Sequence, residues 1–504
     1  MEQKNRVISY FERLGELSAA HTETADTIVP DNAPDILKIL GANATVCLRD
    51  KTVQPDRALL SGTAQVNILY APEDGSGMRC LTVPVSFAHV AEIRGLAEGD
   101  SVIAWATPAG ANARMVNSRK ASAEMKINLY VRAYRKMQKN AGIELSGADD
   151  TLCTLEKKET VTLPFDIRQK NFSVMEDLEL SPGSEPIGQI VRSDISFAAD
   201  EAKALTNKAL VRGNVVIDGL YTSKDGDKLH RMEFMIPFTQ IFDIDGLNEN
   251  AAVTPRCTLR SFELTPVENA GEAGGLSASI GAEMTVVALR KQDIAYLADA
   301  YSLRRNVRCE HANLALPRAS GTLTLRGEAE KTAAGDAQAR TVLTCAGFCS
   351  AFSLDGAIAR AEVSAQAVYA AEDGQLGLAS AVLPVEIPVA DGVEGLRVSD
   401  CDVKTSAAVT ADGGISFACV VTAAAERTGE AALSPVSALV IDEEHEKAPY
   451  TDAGIILCYP TPGEDCWALA KKYNTTCRHI LDANGLEDGA HIRPGELVLI
   501  PISQ

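Results

Sequence analysis

Three stretches of the chain line up with one another, and that repetition limits the fold more than anything else in the sequence. They read SGTAQVNILYAPEDGSG, RGNVVIDGLYTSKDGDK and AEVSAQAVYAAEDGQ. Each is an apolar-alternating run that ends in tyrosine and meets an Asp-Gly pair. The tyrosines are Tyr70, Tyr221 and Tyr369; the pairs are Asp74-Gly75, Asp225-Gly226 and Asp373-Gly374. Further on, each copy carries a proline inside an apolar run (Pro84, Pro237, Pro384) and then a Gly-Leu pair (Gly95-Leu96, Gly246-Leu247, Gly395-Leu396). Four marks in one order, three times over, predict one supersecondary unit used three times. Period-two alternation makes the unit a β domain, and Asp-Gly between two such runs predicts a hairpin whose turn needs positive φ. The prolines predict a strand start or an edge position, where no ladder donor is lost.

The start of the unit is visible in two copies. VPDNAPDILKIL matches LSPGSEPIGQIV, with Pro30 and Pro34 opposite Pro182 and Pro186; the third copy keeps only LALP at Leu314–Pro317 and has drifted. The expected domains are β units at 28–140, 165–292 and 305–440. They are preceded by a lead-in segment, 1–27, whose RVISYFERLGEL fits a short helix or a strand equally well. An acidic linker is expected at 441–452.

From Gly454 the pattern changes. IILCY is a short strand, Pro462-Gly463 a turn, and Glu464-Asp465 supply carboxylates suited to a helix N-terminus. Cys466, Leu469, Ala470 and Tyr473 share one helical face, and Cys477, Ile480, Leu481 and Asn484 repeat that spacing. Gly485 stands where a helix end needs positive φ, and ELVLIP closes with a strand. The order is β-α-α-β over residues 453–504. Trp467 lies beside the apolar stripe, which fits either a core-edge aromatic or a binding anchor. Ile455 is expected to join it in one apolar patch.

Composition excludes several functions. A formal charge of −20 argues against a nucleic-acid partner, which needs clustered Lys and Arg. No run of 18 apolar residues marks a transmembrane helix. The charged N-terminal stretch lacks the apolar core of a secretory signal, so a cytoplasmic location is expected. The twelve cysteines form no CxxC pair and are expected as reduced, mostly buried thiols. FDIDGLNEN, with Asp243 and Asp245, imitates a calcium loop but lacks its remaining ligands, and Gly246 there is the repeat glycine. DEEHEK, around His445, lacks the second histidine of a zinc helix and reads as a solvated charge run. No P-loop, GxSxG or GxGxxG occurs, so no enzyme, cofactor or metal site is expected.

The C-terminal segment resembles a LysM domain at Gly463, Glu464-Asp465, Trp467, Ala470, Tyr473, Asn484, Pro494-Gly495, Leu497, Ile500 and Pro501. It departs from the family where LCYPTPGEDCW replaces the usual opening. This resemblance implies a glycan groove for N-acetylglucosamine polymers at Gly463, Glu464, Asp465 and the turn Asn484, Gly485, Leu486. The repeat marks VPDNAPDILKIL, GTAQVNILY and VPVSF with IRGL resemble the SPOCS domain of spore-forming Firmicutes. The whole order is similar to the SipL-type spore-coat morphogenesis proteins of clostridia. The fold class expected is therefore multidomain and mainly β: three SPOCS-like β domains, then a small LysM domain. The resemblance implies a non-enzymatic scaffold in the mother cell at the forespore surface. Its LysM would dock a coat morphogenetic ATPase or another coat protein, using Ile455 and Trp467 beside the groove. Two alternatives stay open at this point: a peptidoglycan-binding wall or cortex protein, and a phage-tail or injection-device component.

Overall fold

The computed structural model describes all residues except 1, 76, 147–150, 224–228, 268–273, 336, 391, 448–453, 488–490 and 503–504. The Asp225-Gly226 pair and the later part of the expected linker lie outside the described residues.

The chain is mainly β, and its strands fall into three units of identical order. Unit one holds β1 (Glu2–Ile28), β2 (Ile36–Gln54), β3 (Arg57–Pro72), β4 (Arg79–Glu92), β5 (Ser101–Asn117) and β6 (Lys120–Ser146). Its two three-stranded sheets run β1-β6-β5 and β2-β3-β4. Unit two holds β7 (Leu152–Glu179), β8 (Ile187–Leu205), β9 (Lys208–Ser223), β10 (Leu229–Asp243), β11 (Ala252–Val267) and β12 (Gly275–Ser302), ordered β7-β12-β11 and β8-β9-β10. In unit three β13 (Arg305–His311) and β14 (Leu314–Ala333) run in series along one edge. β15 (Ala339–Asp355), β16 (Ile358–Ala371), β17 (Leu376–Pro388) and β18 (Leu396–Val409) follow, then β19 (Ile415–Leu433) and β20 (Val436–Glu446), again in series. The sheets β14-β19-β18 and β15-β16-β17 repeat the order, and β13 pairs with β20.

Each unit is a sandwich, because both sheets turn an apolar face inward. In β6 every second side chain from Ala121 to Ala133 is fully buried, Met125, Ile127 and Leu129 among them. β12 and β19 do the same with Ile280, Met284, Val286 and with Phe417, Cys419, Val421. The repetition reaches single bulges: β2 slips register at Ile36/Lys38, Ile39/Gly41 and Leu48/Asp50. β8 slips at Ile187/Gln189, Ile190/Arg192 and Ala199/Glu201, and β15 at Ala339/Thr341, Val342/Thr344 and Cys349/Ala351.

The repeat marks have physical causes. Each tyrosine is buried; Tyr70 donates to the carbonyl of Pro34 at 3.2 Å and Tyr221 to that of Glu185 at 2.9 Å. Tyr369 instead accepts from the Ala337 N–H at 3.0 Å, so the drifted third copy keeps the ring and changes its tie. Gly95, Gly246 and Gly395 have φ of 84°, 77° and 67° in turns closed by Leu96→Ile93, Leu247→Ile244 and Leu396→Val393 backbone bonds. Only glycine takes that φ without strain. Asp243 is exposed beside such a turn. The prolines sit mid-strand in β4, β10 and β17, all edge strands. Gly75 and Gly374 have positive φ in the short loops that join β3 to β4 and β16 to β17. A two-residue connection occurs at Pro55-Asp56.

Two boundaries differ from expectation. Residues 2–27 are no separate lead-in: within β1 they pair with β6 along its length, since their alternation matches a full edge strand. The acidic linker begins later than 441, because Ile441 and Glu446 pair with Val307 and Arg305. His445 is exposed there, 3.3 Å from Asp442.

The outer strand pairs β1/β6, β7/β12 and β13–β14/β20–β19 extend past their sandwiches as ribbons. Ile8 and Tyr10, Val161 and Leu163, and Leu314 and Leu316 close one apolar cluster from all three units. At the other end Leu69, Leu220 and Val368, each the residue before a repeat tyrosine, meet in a second such cluster. None of the twelve cysteines is in a disulfide; five are buried and seven half-buried. Burial pushes the Cys47, Cys80 and Cys257 thiols up to about 12, so these stay protonated at neutral pH. Among the described residues, no helix is long and apolar enough to cross a membrane.

Candidate functional site

The C-terminal module forms β21 (Ile455–Cys458), α1 (Cys466–Tyr473), α2 (Cys477–Ala483) and β22 (Val498–Pro501), with β21 antiparallel to β22. Asp465 caps α1 by accepting from the Ala468 N–H at 2.8 Å, and Thr476 caps α2 by accepting from His479 at 3.2 Å. Asn474 ends α1 in the left-handed region (φ 57°), and Gly485 (φ 65°) follows α2. Leu486 N–H bonds back to Leu481 O, which completes the helix end. Leu469, Ala470, Ile480, Val498 and Ile500 form the core, with Cys466, Tyr473 and Cys477 packed against it.

The eight expected site residues part into three places. Gly463 (φ 94°) and Gly485 are exposed, with open space where a Cβ would stand, and Leu486 is exposed beside them. The polar groups of that groove are committed inside the domain. Glu464 accepts from the Thr461 N–H and hydroxyl, both at 2.9 Å, and from Lys472 at 2.8 Å. The Lys472 ammonium, with the Thr461 N–H, holds its carboxyl down at about 2. Asp465 is the cap. Asn484 clasps β22, accepting from Leu499 N–H at 2.8 Å and donating to Leu499 O at 2.7 Å.

Ile455 and Trp467 do not share a patch. Ile455 is on the outer face of the small sheet, 60% exposed, whereas Ile456 points inward to the cluster that holds Trp467. The outer face is apolar: Ile455 and Leu457 of β21 lie across from Pro501 and Leu499 of β22, and Tyr459 and Leu497, just beyond the paired residues, are exposed. Leu457 and Tyr459 are 62% and 66% exposed. Sequence reading missed Leu457, Tyr459 and Leu497, although the period-two spacing 455, 457, 459 was there to find them.

Trp467 faces unit two. Its indole N–H donates to Asp299 Oδ2 at 2.9 Å, and its ring meets Tyr301 edge-on at 4.9 Å between centroids. Lys471 reaches both Asp299 oxygens at 2.8 and 2.7 Å. Burial raises the Asp299 carboxyl, but the bonds from Lys471 and Trp467 outweigh it and hold the group below its ordinary value. Nothing in the sequence marks this contact, which spans 168 residues.

Comparison with known protein families agrees with this anatomy. The SipL, SPOCS domain model matches residues 35–116 and 186–267, which are the four middle strands of units one and two. The LysM domain model matches residues 461–501. A search of the curated proteins and a search of the solved structures found no match. The third unit shares the strand order of the other two, while the family match covers two copies. Two SipL, SPOCS domain matches followed by a LysM domain match give the chain a domain combination that fits the SPOCS-plus-LysM description of SipL-type proteins.

Proposed function

We propose that this protein is a non-enzymatic assembly scaffold of the spore envelope, working in the mother cell at the forespore surface. Its LysM domain docks a coat morphogenetic ATPase. The domain combination supports a sporulation role, and both matched families are binding domains. The observation that carries the docking reading is the outer face of β21 and β22, where Ile455, Leu457, Leu499 and Pro501 lie together on one side of a two-stranded sheet, next to exposed Tyr459 and Leu497. Such a face gains most by covering itself with another apolar protein surface. A sugar chain would need free polar groups, whereas Glu464, Asp465 and Asn484 are engaged within the domain.

A second reading, an N-acetylglucosamine polymer such as peptidoglycan, is favoured by the LysM match and by the exposed glycines Gly463 and Gly485, with open space above each. One experiment separates them. Ile455→Asp with Leu457→Asp in the full chain is expected to abolish co-purification with the ATPase while the far-UV spectrum stays unchanged. Undiminished co-purification overturns the docking face. Retention on purified peptidoglycan, lost on Gly485→Trp, would establish the glycan reading instead.

A further inference from the structure

Asp299, Tyr301 and Leu303 are two residues apart, and all three meet the same face of the LysM domain. For Asp299 and Tyr301 the spacing is that of one face of a strand, and Leu303 stands in the bend just past β12. A bulge between Leu297 and Asp299 makes it possible. Leu297 and Ala300 point into the apolar cluster shared with Ile143 and Val436, so unbroken alternation would have sent Asp299 there as well. The extra residue re-aims it at α1.

What the LysM domain offers to this strand is chemically specific. The carboxylate receives the Trp467 N–H and two contacts from Lys471. The aromatic ring packs edge-on against the Trp467 ring. The Tyr301 hydroxyl, fully enclosed, donates to the Thr475 carbonyl at 2.6 Å. Asn474, fixed by its left-handed backbone, donates through Nδ2 to the Leu303 carbonyl at 2.8 Å while its Oδ1 accepts from Lys447 at 2.9 Å. A charge-assisted pair, a ring and a hydroxyl are thus read at i and i+2 of the strand end, and a main-chain carbonyl at i+4 in the bend that follows it. That is how a peptide-recognition surface works.

We propose that the α1 face of the LysM domain is a receptor for an extended acidic-x-tyrosine segment, and that Asp299–Leu303 is its resident, self-supplied occupant. The partner that fits is a protein segment in strand conformation with Asp or Glu two residues before a tyrosine. It takes this place only when β12 gives it up. The face lies apart from the Ile455 sheet, so the inference stands whether or not that sheet docks an ATPase.

The test uses the full chain and a synthetic peptide with the sequence LADAYSLRR, residues 297–305. Trp467 emission is isolated by subtracting the spectrum of the matching Trp467→Phe protein. In the Asp299→Ala chain the peptide is expected to produce a saturable change. A peptide with alanine at the aspartate and tyrosine positions should bind at least about tenfold more weakly, the loss of one charge-assisted contact and one ring pair. The wild-type chain should not respond, because its own segment is present at far higher effective concentration. Asp299→Asn, which keeps the side chain's shape, serves as the second host should Asp299→Ala fold poorly. Absence of a response in both hosts, or an equal response to the alanine peptide, overturns the proposal.

Discussion

At the scale of the residue, the repeat is held by pairs of side chains that answer one another. Gly62 lies opposite Phe87 across β3 and β4, and Gly213 opposite Phe238 across β9 and β10. A Cβ on Gly62 would stand 2.4 Å from the Phe87 ring and 2.2 Å from the Cys47 carbonyl. The third unit has Ala361 opposite Val385, so the glycine and the ring were exchanged together. Gly62→Ala is therefore expected to cost about 1–3 kcal/mol in chemical denaturation. Adding Phe87→Val should recover only the part due to the ring, since the carbonyl clash stays. Strict additivity of the two changes would refute this coupling. Such pairs show what the sequence reveals. Tyr70, Pro84 and Gly95 were legible as marks because each answers a local demand: a buried ring, an edge without a donor, a positive φ. The Asp299–Trp467 bond was not legible, because its ends are far apart in the chain and neither residue is unusual where it stands.

At the scale of the element, local chemistry ends each piece while pairing decides its length. RVISYFERLGEL suited a helix or a strand, and only the presence of β6 alongside it decides for strand. The break of the third ribbon at Ala312-Asn313 and at Ser434-Pro435 had no clear precursor, since the first two ribbons run through unbroken. The helices were easier, because Asp465, Thr476 and Gly485 are caps readable in place. The loop before α1 carries an acid dependence of definite sign. Glu464 has its folded pKa lowered from 4.5 to about 2 by Lys472 and Thr461. Its contribution to stability is thus present above pH 4.5 and is lost as the pH falls towards 2. Carboxyl carbon NMR of the full chain should show Glu464 titrating near 2. Lys472→Ala should move that titration upward; a midpoint left unmoved would remove Lys472 as the cause.

At the scale of the whole molecule, three sandwiches are joined at two clusters to which each unit contributes. Further ties cross between units: Thr45 donates to Ser193 O at 2.6 Å, Arg192 to Cys345 O at 2.8 Å, and Glu426 pairs with Arg13 at 3.3 Å. The body should therefore melt as one. Leu316→Ala, at a fully buried position of the ribbon cluster, is expected to cost about 2–4 kcal/mol. It should lower a single calorimetric transition of the body, whereas an early transition confined to unit three would show that the units are independent. The sequence predicted the number of units from their marks; it did not predict that they close on one another, because the contacting residues Leu69, Leu220 and Val368 look like ordinary core.

The ribbons also have a mechanical meaning. β7 and β12 each run 28 residues, about 90 Å at roughly 3.3 Å per residue, against strands of about 3–10 residues in most proteins. The LysM domain grips the far end of β12. Its ladder bonds to β7 lie across the strand direction. A pull on the LysM domain along the ribbon therefore loads many of those bonds in shear at once, and does not peel them open singly. Where a bound partner drags on the LysM domain, that geometry resists.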